Sequence, residues 1–498
     1  MEFFKKKSFQ YGTAAIVLVA VVLALVVILN VLLYLFSSHF GWYADISSSG
    51  LFRFSDESLA LLDTVDKDNN KLTFYYMTDK NTMGETAYGN YILGLTTELS
   101  NRYDFISVEY IDDIDKDILT VAGIYGEKYL DEFNKLYKDG SFTLGTIILR
   151  NDTYELGENG EYIIGITGEK QPDYRVTTFT VNDMYSEPTL AFLGDFLLTG
   201  RIMGICRLNP TAYFLTGHGN LTIADDGNFG NAEVLSDIFL NCGYQVKKLN
   251  LAEKDFDKDF REASLAVIFA PKVDLTEGEI KRLGEFVSRG GHLMVYTAGD
   301  YYRLDKLSAF LDTYGLTVAN AKIQSGSDAS LGNNGFSFAA FKNESSPIVA
   351  SLRDKESKIA LDACRLIRVD AAKGAEALLI PPASYEAVGI DTEKKGNEAA
   401  VAISKGEERG TVFVSGAASM ASSLVYTPAY NNRNLLLAVL EDMGAQDIPM
   451  NVDIKTLAND GLDLTKSQAT AASLVVSLVP ALIFAVIGTV VYIRRKRS

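Results

Sequence analysis

Ala212-Tyr213-Phe214-Leu215, Leu265-Ala266-Val267-Ile268-Phe269-Ala270 and His292-Leu293-Met294-Val295-Tyr296 are three short apolar runs within one stretch, Asn209 to Tyr302, whose reading decides the fold. The first breaks at Thr216-Gly217-His218-Gly219-Asn220, the second stops at Pro271, and the third follows Gly290-Gly291. Between them lie patterns of helical period, Asn231 to Cys242 and Thr276 to Arg289. Strands without polar alternation are buried on both faces, and intervening helices supply the cover, so the stretch reads as a parallel sheet in an α/β fold. Ligands of such sheets dock at the carboxyl ends of the strands. Here those ends are Thr216 to Asn220, Pro271 to Asp274 and Thr297 to Asp300.

Working outward, Gly410-Thr411-Val412-Phe413-Val414-Ser415-Gly416 is a further buried strand and Asn432 to Met443 the helix after it. Both are assigned to a central domain at 201–447, with 303–405 inserted between its strands. Upstream, Leu72 to Met77, Gly89 to Arg102 and Ile106 to Ile111 give a β-α-β order and a separate α/β domain at 37–200. Ser55 is a natural N-cap for the helical pattern after it. Ile323 to Asn343, rich in Ser, Gly and Asn, reads as an exposed loop or irregular β insertion.

The ends of the chain differ from its middle. Residues 14–36 and 471–493 are apolar and long enough to cross about 30 Å of hydrocarbon. Lys5 to Lys7 precede the first run and Arg494 to Arg497 follow the second, which by the positive-inside rule puts both ends in the cytoplasm. The expectation is a two-span cell-membrane protein. Segment 1–13 and tail 494–498 are then cytoplasmic, 448–470 is a tether, and the bulk is extracytoplasmic, with Trp42 and Tyr43 at the outer interface.

The formal charge is −17, from 47 basic and 64 acidic residues. Setting aside Glu2 and the seven basic residues of the two ends takes it to about −23, which argues against nucleic acid or anionic lipid as a partner. Cys206, Cys242 and Cys364 are widely spaced without a CxxC pair, so they read as buried small hydrophobes, one disulfide among them remaining open.

Several chemistries lack their residues. The dipeptide Gly-Lys does not occur, so no phosphate-cradling lysine loop is present. A nucleophile elbow needs Ser, Cys or Thr on a sharp turn between strand and helix, flanked by glycines. Neither Thr297-Ala298-Gly299-Asp300 nor Ser415-Gly416-Ala417-Ala418-Ser419 has that pattern. Of the three histidines, His39 sits at the end of an apolar run and His292 opens a buried strand. Only His218 stands at a strand end in a Gly-flanked loop. Asp225, Asp226 and Asn228 lack the spacing of a calcium loop. The reading is non-enzymatic, with no metal and no cofactor. The candidate ligand- or partner-binding residues are Gly217, His218, Gly219, Asn220, Pro271, Asp300, Ser415 and Ser419. Ser422 and Ser423 are further hydroxyls beside them.

In their order, certain segments carry a resemblance: Asp45-Ile46-Ser47 to Ser58, Leu215 to Gly219, Ala270-Pro271 before Asp274-Leu275-Thr276, Gly290-Gly291 before His292, and Asn432-Arg433-Asn434. The chain resembles the membrane-anchored auxiliary component of gliding-motility-type ABC transport systems. That resemblance implies a central domain like a class I glutamine amidotransferase that has lost its chemistry, or more broadly a flavodoxin-like sheet. It implies a separate permease and a cytoplasmic ATPase as partners, with an unknown ligand. Where relatives carry Gly-His-Gly-Glu, this chain has Asn220. The alternatives are a hydrolase acting on cell-envelope material, using Ser419 and His218, and a structural envelope or adhesion protein.

Overall fold

The computed structural model describes residues 50–457 except 52, 87, 113–115, 158–160, 187–189, 208–209, 221–231, 252–263, 300–302, 328, 353–357, 447, 450–451 and 453. It also describes the isolated positions 21, 28, 488 and 494. Residues 52–456 form one compact unit.

Strands β1 (Lys71–Tyr76), β2 (Ile106–Tyr110), β3 (Thr146–Tyr154) and β4 (Pro172–Thr180) form a four-stranded sheet in the order β2-β1-β3-β4. Only the β1–β2 pair is parallel. The helix Gly89–Arg102 provides the β1-to-β2 crossover that a parallel pair requires, and buries Ile92, Leu95 and Leu99. Two short strands follow, β5 (Tyr185–Ser186) and β6 (Ala191–Phe192), and then the helix Gly194–Ile205. All twelve residues of that helix are buried. It packs against the helices Asp56–Leu62, Gly89–Arg102 and Glu233–Asn241 and against β4.

The central sheet starts with β7 (Thr211–Leu215), β8 (Gln245–Leu249), β9 (Leu265–Phe269) and β10 (His292–Tyr296). After the helix Asp305–Thr313 come β11 (Leu316–Gln324), β12 (Ser337–Lys342), β13 (Ile359–Asp362), β14 (Arg365–Val369) and β15 (Ala375–Ile380). The chain continues through β16 (Glu386–Gly389), β17 (Glu398–Ala399), β18 (Val401–Gly406) and β19 (Arg409–Ser415), and β20 (Lys455–Thr456) comes last. Nine of these strands make one sheet in the order β13-β12-β15-β18-β19-β10-β9-β7-β8.

Along that sheet β8, β7, β9, β10 and β19 are mutually parallel. Taken in chain order these five stand 2-1-3-4-5. The other four strands are antiparallel. The expectation of a parallel sheet is therefore corrected to a mixed one in an α/β fold. The hairpin turn at 406–409 reverses the chain between β18 and β19, and each strand added outside it reverses again. Ile323 to Asn343 is likewise part sheet, because it supplies the end of β11 and all of β12. A separate antiparallel sheet, β16-β11-β14-β17, lies within 316–399.

Alternation assigns the parallel strands to two cores. Ala212, Phe214, Val267, Phe269, Met294, Tyr296 and Phe413 face one core, with Leu235, Ile238 and Phe239 of the helix Glu233–Asn241. Tyr213, Leu215, Ala266, Ile268, Leu293, Val295, Val412 and Val414 face the other, with Leu283, Phe286 and Val287 of the helix Glu277–Ser288. Burial on both faces is what runs without a polar position demand.

The expected two-span membrane placement, with cytoplasmic ends and an extracytoplasmic bulk, is corrected: among the described residues no helix is long and apolar enough to cross a membrane. The longest described helix, Gly89–Arg102, has 14 residues and reaches about 21 Å, short of the roughly 30 Å required. The runs 14–36 and 471–493 lie outside the described residues except at the isolated positions.

Candidate functional site

The 2-1-3-4-5 order puts the change of winding direction between β7 and β9, where the fold rule places a ligand crevice beyond the carboxyl ends. The loops flanking that point are 216–220 and 270–274. Ala270 turns with φ +50° and Gly219 with φ +62°. Hydrogen bonds stitch the two loops together. The carbonyl of His218 accepts from the amides of Lys272 (2.9 Å) and Val273 (3.0 Å). The His218 ring, in a residue only 7% exposed, reaches Asp274 O through Nδ1 (3.2 Å) and Glu279 Oε1 through Nε2 (3.0 Å).

Glu279 is itself built in. Thr276 is the N-cap of the helix Glu277–Ser288, and its amide and hydroxyl both donate to Glu279 Oε2 at 2.7 Å, completing a capping box. Burial pushes the Glu279 carboxyl up. The Thr276 amide and hydroxyl and the His218 ring outweigh burial and hold it below its ordinary value. Asp274 extends the network by accepting from the amides of Lys306 (2.8 Å) and Leu307 (3.1 Å) at the start of the helix Asp305–Thr313. Asn220, 8% exposed, accepts from the His218 amide (3.0 Å) through Oδ1, and its buried Nδ2 has no partner among the described residues.

The second group lies at the ends of β10 and β19. Ser415 is fully buried, and its Oγ donates to Ala417 O (2.8 Å). Thr297 turns back onto the same strand end: its amide donates to Ser415 O (3.0 Å) and its hydroxyl to Gly416 O (2.7 Å). The segment 363–365 covers these turns. A Cβ on Gly299 would stand 2.5 Å from Ala363 Cβ, and one on Gly416 only 2.1 Å from Arg365 O. Ser419 Oγ donates to Asp362 O (3.0 Å) and accepts from the Asp362 amide (2.8 Å).

The structure thus brings Gly217, His218, Gly219, Asn220 and Pro271 into one stitched loop pair, and Ser415 and Ser419 into another. It does not form a Ser419–His218 pair, since each side chain is bonded to other groups. Asp300, Asp225, Asp226 and Asn228 lie outside the described residues. Among the described residues no group of three or more His, Cys, Asp or Glu side chains is placed to hold a metal. His292 opens β10, its Nδ1 accepting from the Thr411 amide (3.0 Å). Cys206, Cys242 and Cys364 are free thiols, and burial pushes the Cys206 thiol up to about 12.

No family model matches the chain, and no curated protein does. Among solved structures it is similar to the mmIFT52 N-terminal domain, at 18% identity and a TM-score of 0.37, over 48% of this chain and 99% of that one. It is also similar to a putative ThuA-like protein from Bacteroides uniformis (15%, TM-score 0.29, 47% of this chain and 91% of that one). A third is a putative ThuA-like protein from Parabacteroides merdae (16%, TM-score 0.27, 51% and 94%). Likenesses this slight carry no functional argument.

Of the residues that organise the site, Asp274 and Thr297 lie in the strand-end loops named from the sequence, though not among its candidate binding residues, while Glu279 and Asp362 escaped sequence reasoning. For Glu279 a signal exists, because Thr276-x-x-Glu279 ahead of an apolar helical pattern is the capping-box signature. Asp362 has none, since it meets Ser419 through its backbone alone.

Proposed function

We propose that the chain is a non-enzymatic subunit of an ABC-type transport system, in which the central α/β unit binds a ligand or partner and couples it to a separate permease and ATPase. The observation that carries the non-enzymatic part is the commitment of the strand-end side chains. His218 meets Asp274 O and Glu279, and Ser419 meets the Asp362 backbone, so the two do not form the base–nucleophile pair that the hydrolase alternative needs, which supports this reading. The central fold is read as a flavodoxin-like sheet of the glutamine amidotransferase kind without its chemistry. The 2-1-3-4-5 order supports that reading, and so does Thr297, whose hydroxyl is spent on Gly416 O at the turn after β10. The transport assignment rests on the sequence resemblance. The loop at 216–220, exposed at Gly217 and Gly219 over the buried His218, Asn220 and Pro271, marks where a ligand or partner would meet the unit.

The test is a mild-detergent affinity purification of the full chain from its host, with mass spectrometry of the co-eluting proteins. The expected result is recovery, in comparable amounts, of a polytopic permease and an ATPase carrying the Gly-x-x-x-x-Gly-Lys-Ser/Thr loop. Repeated recovery of the chain alone overturns the assignment.

A further inference from the structure

Two stretches some four hundred residues apart meet at one buried carboxylate. Asp195, 1% exposed, stands in the first turn of the helix Gly194–Ile205. Its Oδ2 accepts from the Ser55 amide (2.9 Å) and its Oδ1 from the Ser58 hydroxyl (2.5 Å). Lys455 Nζ lies 3.3 Å from the same Oδ2 and also donates to Arg53 O. The antiparallel pairing of β20 with β6, Lys455 opposite Phe192, brings the lysine to the start of this helix. Glu98 completes the group by accepting from the Phe54 amide (3.0 Å). Burial holds its carboxyl above the ordinary value, against the Phe54 amide and the Arg53 and Lys455 charges.

The helix that carries Asp195 is not free to follow either end alone. It packs on the helices Asp56–Leu62 and Gly89–Arg102, on β4, and on the helix Glu233–Asn241. At Gly200 a Cβ would lie 1.9 Å from Asn241 O, so the two backbones touch.

We propose that Asp195 is a clasp holding both ends of the 52–456 unit, so that 53–58 and 455–456 open together and any displacement of either is delivered to the helix Gly194–Ile205. A buried charge that loses its partner is left uncompensated, so one end cannot leave without destabilising what holds the other. Lys455 enforces this geometrically, because its two acceptors, Asp195 and Arg53 O, belong to the clasp and to the opposite end.

The experiment is amide hydrogen exchange read by mass spectrometry on the full chain, comparing wild type with Asp195→Asn and Lys455→Met. Lys405→Met, which removes the remote Lys405–Asp442 pair, serves as the control. Peptides covering 53–58 and 455–456 are expected to exchange about tenfold faster in both variants, with β10 unchanged and the control at wild-type rates. The proposal is overturned if Lys455→Met frees 455–456 and leaves 53–58 at wild-type rates. Should Asp195→Asn fail to fold, Lys455→Met decides alone, since it leaves no buried carboxylate missing from the helix.

Discussion

His218 joins the two loops through both ring nitrogens, one meeting Asp274 O and the other the Glu279 carboxylate. Glu279 has its folded value below the ordinary one. Its contribution to stability is therefore present above the ordinary glutamate range and is lost as pH falls through the lowered value. At pH 7, His218→Ala and Glu279→Gln are each expected to cost about 1.5–3 kcal/mol in urea unfolding, the usual loss for a hydrogen bond to a charged group. The double variant should cost clearly less than the sum, since both changes break one bond; strict additivity would show that they do not act together. The sequence placed His218 at the right strand end, through its flanking glycines. It did not reveal the partner, because 61 residues separate the pair and only the folding of β9 and the following helix joins them. His218, a candidate binding residue in the sequence, ties the 216–220 loop to Asp274 and to the start of the helix Glu277–Ser288.

At the scale of elements, legibility follows burial. The strands β7, β9, β10 and β19 are apolar on both faces and stand where their runs predict, and Ser55 and the helix Gly89–Arg102 do too. β8 was missed because it is an edge strand whose Lys247 and Lys248 are exposed, the polar marking that keeps an edge from pairing with another chain. The order of β12 to β18 was not legible, because β12 pairs with β15 across the intervening β13 and β14, and β14 joins a different sheet. Tyr296, the last residue of β10, tests how far the core tolerates an unmet polar group. It is fully buried between the rings of Phe269 and Phe413, and its hydroxyl has no partner among the described residues. Removing that oxygen relieves a desolvated group without opening a cavity. Tyr296→Phe is expected to raise stability by up to about 1 kcal/mol. A loss of that size instead would reveal a hydrogen bond formed in solution.

Over the whole molecule, two partly buried groups on different elements set opposing pH dependences. Burial pushes His292 down to about 4, against the Asp442 charge. Between that value and the ordinary 6.5 the unfolded chain binds a proton that the folded chain does not, so this group makes stability rise with pH across the window. Burial pushes Asp237 up to about 7, aided by Asp183 and Glu233 and opposed by Arg201. From the ordinary 3.8 up to that value the folded chain holds the extra proton, so this group makes stability fall as pH rises. Each slope has a limit of about 1.4 kcal/mol per pH unit, and the windows overlap from about pH 4 to 6.5. Their contributions cancel there, and the denaturant midpoint of the wild type should change less with pH than that of either single variant. His292→Gln keeps an acceptor for the Thr411 amide and removes the rising limb, so its midpoint should fall from pH 4.5 to 6.5. Asp237→Asn removes the falling limb, so its midpoint should rise over the same range. Two variants sloping in the same direction would mean that one of these groups titrates as it does in the unfolded chain. The cancellation is a property of the fold as a whole, because His292 opens a strand of the sheet while Asp237 sits on a helix packed against the Gly194–Ile205 helix, and no local pattern in the sequence links them.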